Sequence, residues 1–247
     1  MTPEQRERYD RQIRLPAISE TGQQTLIDSQ VLIIGMGGLG SPVAMYLAAA
    51  GVGNLTLCDF DVVESSNLQR QVIHNEQTVG QLKVESAKAF INSLNPMTNV
   101  TTINHELSDD ELLESISATD VVIDCTDNFP SRFALNEACL QTKTPLISGA
   151  AIRQEGQITT FDASKENSPC YHCLYPDTGA ESAGCSMEGV VAPVVGIIGT
   201  MQAQEAINVL LKRPALVGTL LLLDAQNLEW QRMKLIKNPN CPACSTI

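Results

Sequence analysis

Glycines spaced for binding a phosphate stand near the start of the chain. Gly35-x-Gly37-x-x-Gly40 lies between an apolar run at residues 31–35 and an alanine-rich segment with helical spacing. Glycines at such a turn let a phosphate approach the backbone N–H groups at the start of a helix. Asp59 follows the next apolar run, where a carboxylate can accept hydrogen bonds from ribose hydroxyls. The pattern predicts a nucleotide site; the alternative is that the glycines serve only packing.

Two cations favour a triphosphate over a dinucleotide. Arg70 and Lys83 follow the second apolar run, within reach of a phosphate tail, whereas the helix end alone can hold a dinucleotide's pyrophosphate. Lys83 stands at the start of a predicted helix, where a cation opposes the helix dipole and would be compensated by an anionic ligand. The alternatives are a surface ion pair for Arg70 and plain solvation for Lys83.

An acidic residue follows a third apolar run in the segment DCTDN, residues 124–128. The carboxyl ends of parallel strands form the ligand crevice of a doubly wound sheet. Asp127 is therefore predicted to hold Mg²⁺ bound to phosphate. The alternative is that Asp127 caps the helix beginning near Pro130. Asp124 is assigned a structural role.

Four cysteines form two CxxC pairs: Cys170 with Cys173, and Cys241 with Cys244. This spacing lets both thiolates of each pair reach one ion, and the two pairs complete a tetrahedron around Zn²⁺. Since protein atoms fill all four positions, the site is predicted to be structural, tying the C-terminal tail to the preceding loop. The alternative is a redox dithiol.

The other four cysteines divide into two kinds. Cys58, Cys125 and Cys139 stand in or beside apolar segments and are predicted to be small buried residues. Cys185 lies in a Gly/Ser-rich segment just before a predicted helix, where a thiolate can be stabilised. We predict a catalytic or sulfur-carrying role for Cys185, the alternative being a loop cysteine without one.

Alternating strands and helices must position these residues. Helices are predicted at residues 2–15 and 21–29, followed by strands at 31–35, 54–58, 100–103, 121–125 and 145–148 and helices at 42–50, 83–94, 109–116 and 130–141. Apolar runs of this length are typical of strands buried on both faces. The order predicts an α/β fold with a doubly wound, Rossmann-like, mostly parallel sheet.

The pattern changes after Gly149. Residues 154–164 alternate like an antiparallel strand, residues 164–189 resemble an irregular loop, and residues 218–236 suggest two strands and a turn. Between them a long apolar helix at 190–211 is predicted to be interrupted by Pro193 and Gly196. We predict one domain over residues 1–247. Its parts are N-terminal helices (1–30), a nucleotide-binding half (31–150), and an antiparallel extension with the zinc clip (151–247).

Composition narrows the possible partners and compartment. The 247 residues are 43% hydrophobic and 18% charged, with a formal net charge of −12. Such an acidic chain is a poor match for nucleic acid. No apolar stretch is long enough to span a membrane, so no membrane association is expected. Eight cysteines without a visible signal peptide indicate reduced thiols and a cytoplasmic protein.

Several motifs together resemble the MoeB/ThiF family of E1-like (ubiquitin-activating-like) adenylyltransferases. They include YDRQIRL, GMGGLG, SNLQRQ, VGQLKVESA, DCTDN and GVVAPVVGIIGTMQAQEAI, in order over nearly the whole chain. The resemblance implies a MgATP-dependent reaction on a small β-grasp sulfur-carrier protein that ends in Gly-Gly. The C-terminal carboxylate of this carrier attacks the ATP α-phosphate, giving an acyl-adenylate and pyrophosphate.

The resemblance also implies roles for individual residues. It implies nucleotide contacts from Gly35, Gly37, Gly38, Gly40, Asp59, Asp61, Ser66, Asn67, Leu68, Gln69, Arg70, Lys83, Asp127 and Asn128. Arg11, within YDRQIRL, matches an arginine that reaches ATP from the other subunit of a homodimer. By the same resemblance, the catalytic set is Arg11, Arg70, Lys83, Asp127 and Cys185.

Within the family, the segments LCDFDVV and GAAIRQEGQITTF look closer to MoeB-type members. That type implies a carrier of molybdenum cofactor biosynthesis, and the alternative is the ThiS carrier of thiamine biosynthesis. Since no rhodanese-like domain follows, a separate sulfur donor is expected. Two rivals from other classes are a nicotinamide oxidoreductase and a scaffold that binds nucleotide without catalysis.

Overall fold

The structure is a computed structural model that describes residues 1–175 and 188–245. The strands in these residues are β1 (Gln30–Ile34), β2 (Asn54–Cys58), β3 (Asn99–Ile103), β4 (Val121–Asp124), β5 (Leu146–Ile152), β6 (Glu155–Phe161), β7 (Thr219–Asp224) and β8 (Glu229–Lys234). The helices are α1 (Pro3–Ile13), α2 (Ser19–Asp28), α3 (Gly40–Ala50), α4 (Lys83–Leu94), α5 (Asp109–Ser117), α6 (Phe129–Thr142), α7 (Tyr171–Leu174) and α8 (Ala192–Leu210). Across the described ranges, every helix is too short or too polar to cross a membrane.

The strands join in one sheet with the order β3-β2-β1-β4-β5-β6-β7-β8. Neighbours from β3 to β5 are parallel, and neighbours from β5 to β8 are antiparallel. From β1 to β5 strands and helices alternate as predicted. The predicted α/β fold, a doubly wound parallel sheet extended by antiparallel strands, is therefore confirmed.

Helices cover both faces of the parallel strands, which explains why those strands are continuously apolar. Val31 and Ile33 pack into the core beneath α3, α4 and α8, whereas Leu32 between them packs into the core beneath α5 and α6. Since successive side chains of a strand point to opposite faces, both faces must be apolar here. The result is a three-layer arrangement with the sheet in the middle.

Three segments differ from the sequence-based expectation. The helix predicted to be interrupted is the continuous helix α8, because Pro193 lies in its first turn, where a missing N–H costs nothing, and Gly196 does not break it. β5 runs on to Ile152 because it pairs along its full length with β6. The loop predicted at residues 164–189 contains the single-turn helix α7.

The strand order reverses beside β1. The chain moves outward from β1 through β2 to β3, and then returns through α5 to place β4 on the other side of β1. At such a switch point the connections on either side leave in opposite directions and open a crevice at the carboxyl ends of the strands. The predicted nucleotide-binding residues lie in the segments that follow β1, β2 and β4, up to the first residues of α3 and α4.

Candidate active site

A cleft of about 920 Å³ opens at the carboxyl ends of β1, β2 and β4. Most residues predicted to bind a nucleotide line it: Gly35, Gly37, Gly38, Asp59, Asp61, Asn67, Gln69, Arg70, Lys83, Asp127 and Asn128. Gly40, Ser66 and Leu68 were also predicted but are not among the lining residues. The sheet thus gathers in one place residues from distant segments of the sequence.

Two glycines shape the turn between β1 and α3. Gly35 has a φ of +93°, and a Cβ there would lie 2.7 Å from the Cys125 carbonyl oxygen. At Gly40 a Cβ would lie 1.9 Å from the Gly35 carbonyl oxygen, so Gly40 permits close packing without lining the cleft. Side chains at either position would force the turn open. The compact turn leaves the backbone at the start of α3 accessible to an anion.

The Asp59 carboxylate ties the end of β2 to this glycine turn. Its two oxygens accept hydrogen bonds from the Met36 N–H at 2.7 Å and from the Asp61 N–H at 2.8 Å. A carboxylate oxygen can accept more than one hydrogen bond. The ribose contact predicted for Asp59 is compatible with these two bonds.

Lys83 is nearly buried at the first position of α4 and forms an ion pair with Asp61. Lys83 is 6% exposed, and its Nζ lies 2.7 Å from the Asp61 carboxylate. The Lys83 N–H also donates to the Asp61 carbonyl at 2.9 Å. The sequence led us to expect an anionic ligand as the compensation for this charge, but a carboxylate of the same chain supplies it. Both side chains line the cleft.

Arg70, in contrast, has no salt bridge with any residue that the structure describes. Its Nη1 donates to the Ser66 carbonyl at 3.3 Å, a long hydrogen bond that leaves the positive charge unneutralised. Ser66 thus contacts Arg70 through its backbone. The guanidinium is half-buried in the cleft wall, where it is available to an anion.

Asn128, rather than Asp127, caps helix α6. The Asn128 Oδ1 accepts a hydrogen bond from the Ser131 N–H at 2.9 Å. The alternative reading of Asp127 as the cap is therefore wrong. Asp127 is exposed at the cleft, and among the described residues no hydrogen bond or salt bridge engages its carboxylate. Its oxygens are free to coordinate a cation.

Arg132 is a buried residue of the cleft that sequence reasoning missed. Its Nη2 donates to the Thr126 carbonyl at 2.6 Å and to the Gly149 carbonyl at 3.2 Å. Its Nε lies 3.9 Å from Asp124, which is fully buried and also accepts from the Ser148 hydroxyl at 2.7 Å. Arg132 thereby fixes the backbone beside Asp127. No spacing in the sequence marked it, because its partners come from other elements.

Gln71 was also missed, although it follows Arg70 directly within the motif SNLQRQ. Its side chain is 3% exposed and lines the cleft. The Gln71 Oε1 is buried without a hydrogen-bond partner in the described part of the chain. The motif was the signal that could have found it.

The cysteines predicted to be inert are buried. Burial raises the pKa of the Cys58 thiol to about 12 and raises the pKa values of Cys125 and Cys139 well above that of a free thiol. Cys58 and Cys125 line the cleft but remain protonated near neutral pH, which makes them poor nucleophiles. Cys185 lies outside the described residues, so its role stays a prediction.

The two CxxC pairs meet beside Leu140, near the C-terminal end of α6, and do not line the cleft. The Sγ atoms of Cys170, Cys173, Cys241 and Cys244 all lie within 4.8 Å of one another. Cys170 is 3.9 Å from Cys173 and 3.6 Å from Cys241, and Cys173 is 3.5 Å from Cys244. A tetrahedral site with Zn–S bonds of about 2.3 Å has edges of about 3.8 Å. The donor set and its spacing therefore fit a four-thiolate zinc site.

Arg11 does not reach the cleft of its own chain. It lies in the last turn of α1, is exposed, and is not among the residues that line the cleft. The role predicted for Arg11 requires a second copy of the chain, so it stays a prediction.

Comparison with known proteins places these features in context. A model of the ThiF family matches residues 9–243. The molybdopterin-synthase adenylyltransferase of Escherichia coli (strain K12) is 49% identical over 239 residues, covering 96% of this chain and 95% of that protein. The sulfur carrier protein ThiS adenylyltransferase of the same organism is 43% identical over 237 residues, covering 96% and 94%.

A solved structure supports the fold. MccB from E. coli, crystallised with ATP, matches with a TM-score of 0.79 at 23% identity and covers 90% of this chain and 68% of that chain. A likeness at this level of identity establishes the fold alone.

Replacing either partner of the ion pair at the start of α4 should destabilise the protein, but by different amounts. Asp61→Asn leaves a nearly buried ammonium without its partner, and we expect the free energy of unfolding to fall by about 1–2 kcal/mol, a value discounted for the exposure of Asp61. Lys83→Met leaves a carboxylate that water can solvate, so the change should stay within about 1 kcal/mol. Urea denaturation of both variants measures the difference. Equal decreases in the free energy of unfolding for the two variants would show that Asp61 does not compensate the buried charge of Lys83.

Proposed function

This chain belongs to the ThiF family, and from that premise we propose that it is an adenylyltransferase acting on a small sulfur-carrier protein. The family match confirms the resemblance to MoeB/ThiF proteins predicted from the sequence. One observation carries the proposal. A single cleft combines a glycine turn at a helix start, an unneutralised arginine, a second cation and an unengaged carboxylate.

The reaction needs no nucleophile from the enzyme. A carboxylate oxygen of the carrier's C-terminal glycine bonds to the α-phosphorus of ATP, and the bond from that phosphorus to the bridging oxygen of the β-phosphate breaks. Pyrophosphate leaves with the electron pair, and the carrier becomes an acyl-adenylate. The inert state of Cys58 and Cys125 in the cleft is consistent with such a mechanism.

Charge is the main obstacle to this step, because a carboxylate approaches a polyanion. Arg70 and Lys83 supply positive charge, and the backbone at the start of α3 supplies N–H donors. Groups fixed in advance at the developing charge lower the barrier without reorganising.

Two metal ions complete the proposal. The free carboxylate of Asp127 would hold Mg²⁺ together with the phosphates, where the ion would offset charge on the leaving pyrophosphate. The four-cysteine cluster would hold Zn²⁺ and anchor residues 241–245 to α7, with no position open for catalysis. Both assignments follow from donor chemistry: oxygen for magnesium and thiolate for zinc.

Further parts of the proposal concern partners. We assign residues 31–150 to nucleotide binding and residues 151–247 to carrier binding and the zinc clip, with 1–30 as an N-terminal helical segment. Arg11 would enter the active site of the other subunit in a homodimer. A separate protein would donate sulfur to the adenylated carrier, and Cys185 would take part in that later step.

Two carriers are candidates. The identity of 49% to a molybdopterin-synthase adenylyltransferase favours the small subunit of molybdopterin synthase as the carrier. The identity of 43% to a ThiS adenylyltransferase keeps ThiS as the second candidate. Neither relative is named an oxidoreductase, and hydride transfer would leave the unneutralised charge of Arg70 unexplained, so the nicotinamide alternative is disfavoured.

Carrier-dependent exchange of labelled pyrophosphate into ATP tests the proposal. We expect exchange with MgATP and the small subunit of molybdopterin synthase, and exchange at least about tenfold slower with ThiS. A carrier lacking its last glycine is the control and should give none. A protein that binds MgATP but gives no exchange with either carrier would be a scaffold instead.

Replacing Asp127 should slow exchange strongly without unfolding the protein. Asp127→Ala removes the proposed magnesium ligand, and we expect the exchange rate to fall about a hundredfold or more. Asp110→Ala makes the same charge change at an exposed residue outside the cleft and should exchange normally. Exchange near the wild-type rate in Asp127→Ala would remove Asp127 from the mechanism.

Removing one cysteine of the cluster should release zinc. Cys173→Ala leaves three thiolates, and we expect loss of bound zinc by elemental analysis and a melting temperature lower by about 5–10 °C. Cys139→Ala, a buried cysteine outside the cluster, is the matched control and should keep its zinc. Unchanged metal content and melting in Cys173→Ala would rule out the zinc clip.

A further inference from the structure

A buried histidine joins the glycine turn to the helix of Lys83. His74 is 6% exposed, and its Nε2 lies 3.0 Å from the Met36 carbonyl oxygen while its Nδ1 lies 2.8 Å from the Ser86 Oγ. A carbonyl can only accept, so Nε2 carries the hydrogen, and in the neutral ring Nδ1 accepts from the Ser86 hydroxyl. Burial lowers the pKa of His74, which favours the neutral form of the ring.

The bond to Met36 fixes the direction of a neighbouring N–H. The Met36 carbonyl and the Gly37 N–H belong to one peptide unit, and in a trans peptide they point in opposite directions. With the carbonyl held by His74, the Gly37 N–H points away from the ring, and Gly37 itself lines the cleft. Within the described part of the chain, this N–H has no protein acceptor.

Two residues hold the Met36 backbone from opposite sides. The Met36 N–H donates to Asp59 at 2.7 Å, and the Met36 carbonyl accepts from His74. Asp59 also binds the Asp61 N–H, and Asp61 pairs with Lys83, one turn before Ser86 on α4. The hydrogen bonds therefore close a ring that contains the glycine turn, the end of β2 and the first turn of α4.

We propose that His74 is a positioning residue of the adenylation site: it orients the Met36–Gly37 peptide so that the Gly37 N–H meets the phosphates, and it holds the helix of Lys83 against the same turn. The inference rests on the proposed function in one respect, namely that the anion held there is the triphosphate of ATP. His74 touches no substrate itself, since both of its ring nitrogens are occupied.

Three variants of the full chain separate this role from plain stability. His74→Leu removes the donor to Met36, and His74→Gln places an amide N–H where Nε2 stood. Gln23→Leu is the matched control. Gln23 is buried, donates to the Ala50 carbonyl at 2.9 Å and accepts from the Gln12 side chain at 2.7 Å, so its loss removes two hydrogen bonds, as the loss of His74 does, at the other end of α3, away from the cleft.

The readouts are the Kd for MgATP by calorimetry and hydrogen exchange of two amides in ligand-free protein. These are the Met36 amide and the Ser41 amide, which donates to the Gly37 carbonyl at 3.0 Å. We expect His74→Leu to bind MgATP about tenfold more weakly and to exchange both amides faster. His74→Gln should stay within about threefold of wild type. Gln23→Leu should melt at a lower temperature with an unchanged Kd.

Several results would overturn the positioning role. These are wild-type affinity and exchange in His74→Leu, binding by His74→Gln as weak as that of His74→Leu, or equal weakening in Gln23→Leu. Wild-type protein that binds no MgATP would instead contradict the proposed function. In that case the amide exchange alone decides: faster exchange in His74→Leu supports the role, and unchanged exchange overturns it.

Discussion

A lysine ammonium buried at the start of a helix persists only beside negative charge, and the rest of the site is organised around this requirement. Asp61 meets it in the protein alone, at 2.7 Å from the Lys83 Nζ. The position of Asp61 is set in turn by Asp59, which binds both its N–H and the N–H of Met36 in the glycine turn. The cation and the phosphate-binding turn therefore form one connected unit, so that a triphosphate would meet both in a fixed relation.

The fold places the candidate active site and the four-cysteine cluster in separate parts of the protein. The parallel half of the sheet delivers loops from β1, β2 and β4 to one cleft, because parallel strands present their carboxyl ends on the same edge. The four-cysteine cluster packs against Leu140 near the C-terminal end of α6, links α7 to the C-terminal segment and contributes no residue to the cleft. Loss of the proposed zinc would loosen the C-terminal segment and leave the ion pair between Lys83 and Asp61 intact.

Local features of the sequence were sufficient for much of this structure. Apolar runs and glycine turns predicted the alternating elements. A strand buried on both faces is apolar throughout, and the glycine turn directly precedes a helix, so both features are visible in a few neighbouring residues. Features that depend on distant partners were not predictable. The pairing of Lys83 with Asp61 joins two elements, Arg132 binds carbonyls of other segments, and the cap at Asn128 rather than Asp127 depends on backbone geometry. Helix α8 was misjudged because the place of Pro193 in a first turn is visible only once the helix boundary is known.

A crystal structure with Mg²⁺ and a non-hydrolysable ATP analogue would test whether the cleft holds a triphosphate against these cations. The account predicts phosphate oxygens within hydrogen-bond distance of Arg70, Lys83 and the Gly37 N–H, with magnesium on the carboxylate of Asp127. A nucleotide bound elsewhere, or one in this cleft whose phosphates leave Lys83 paired with Asp61 alone, would contradict it.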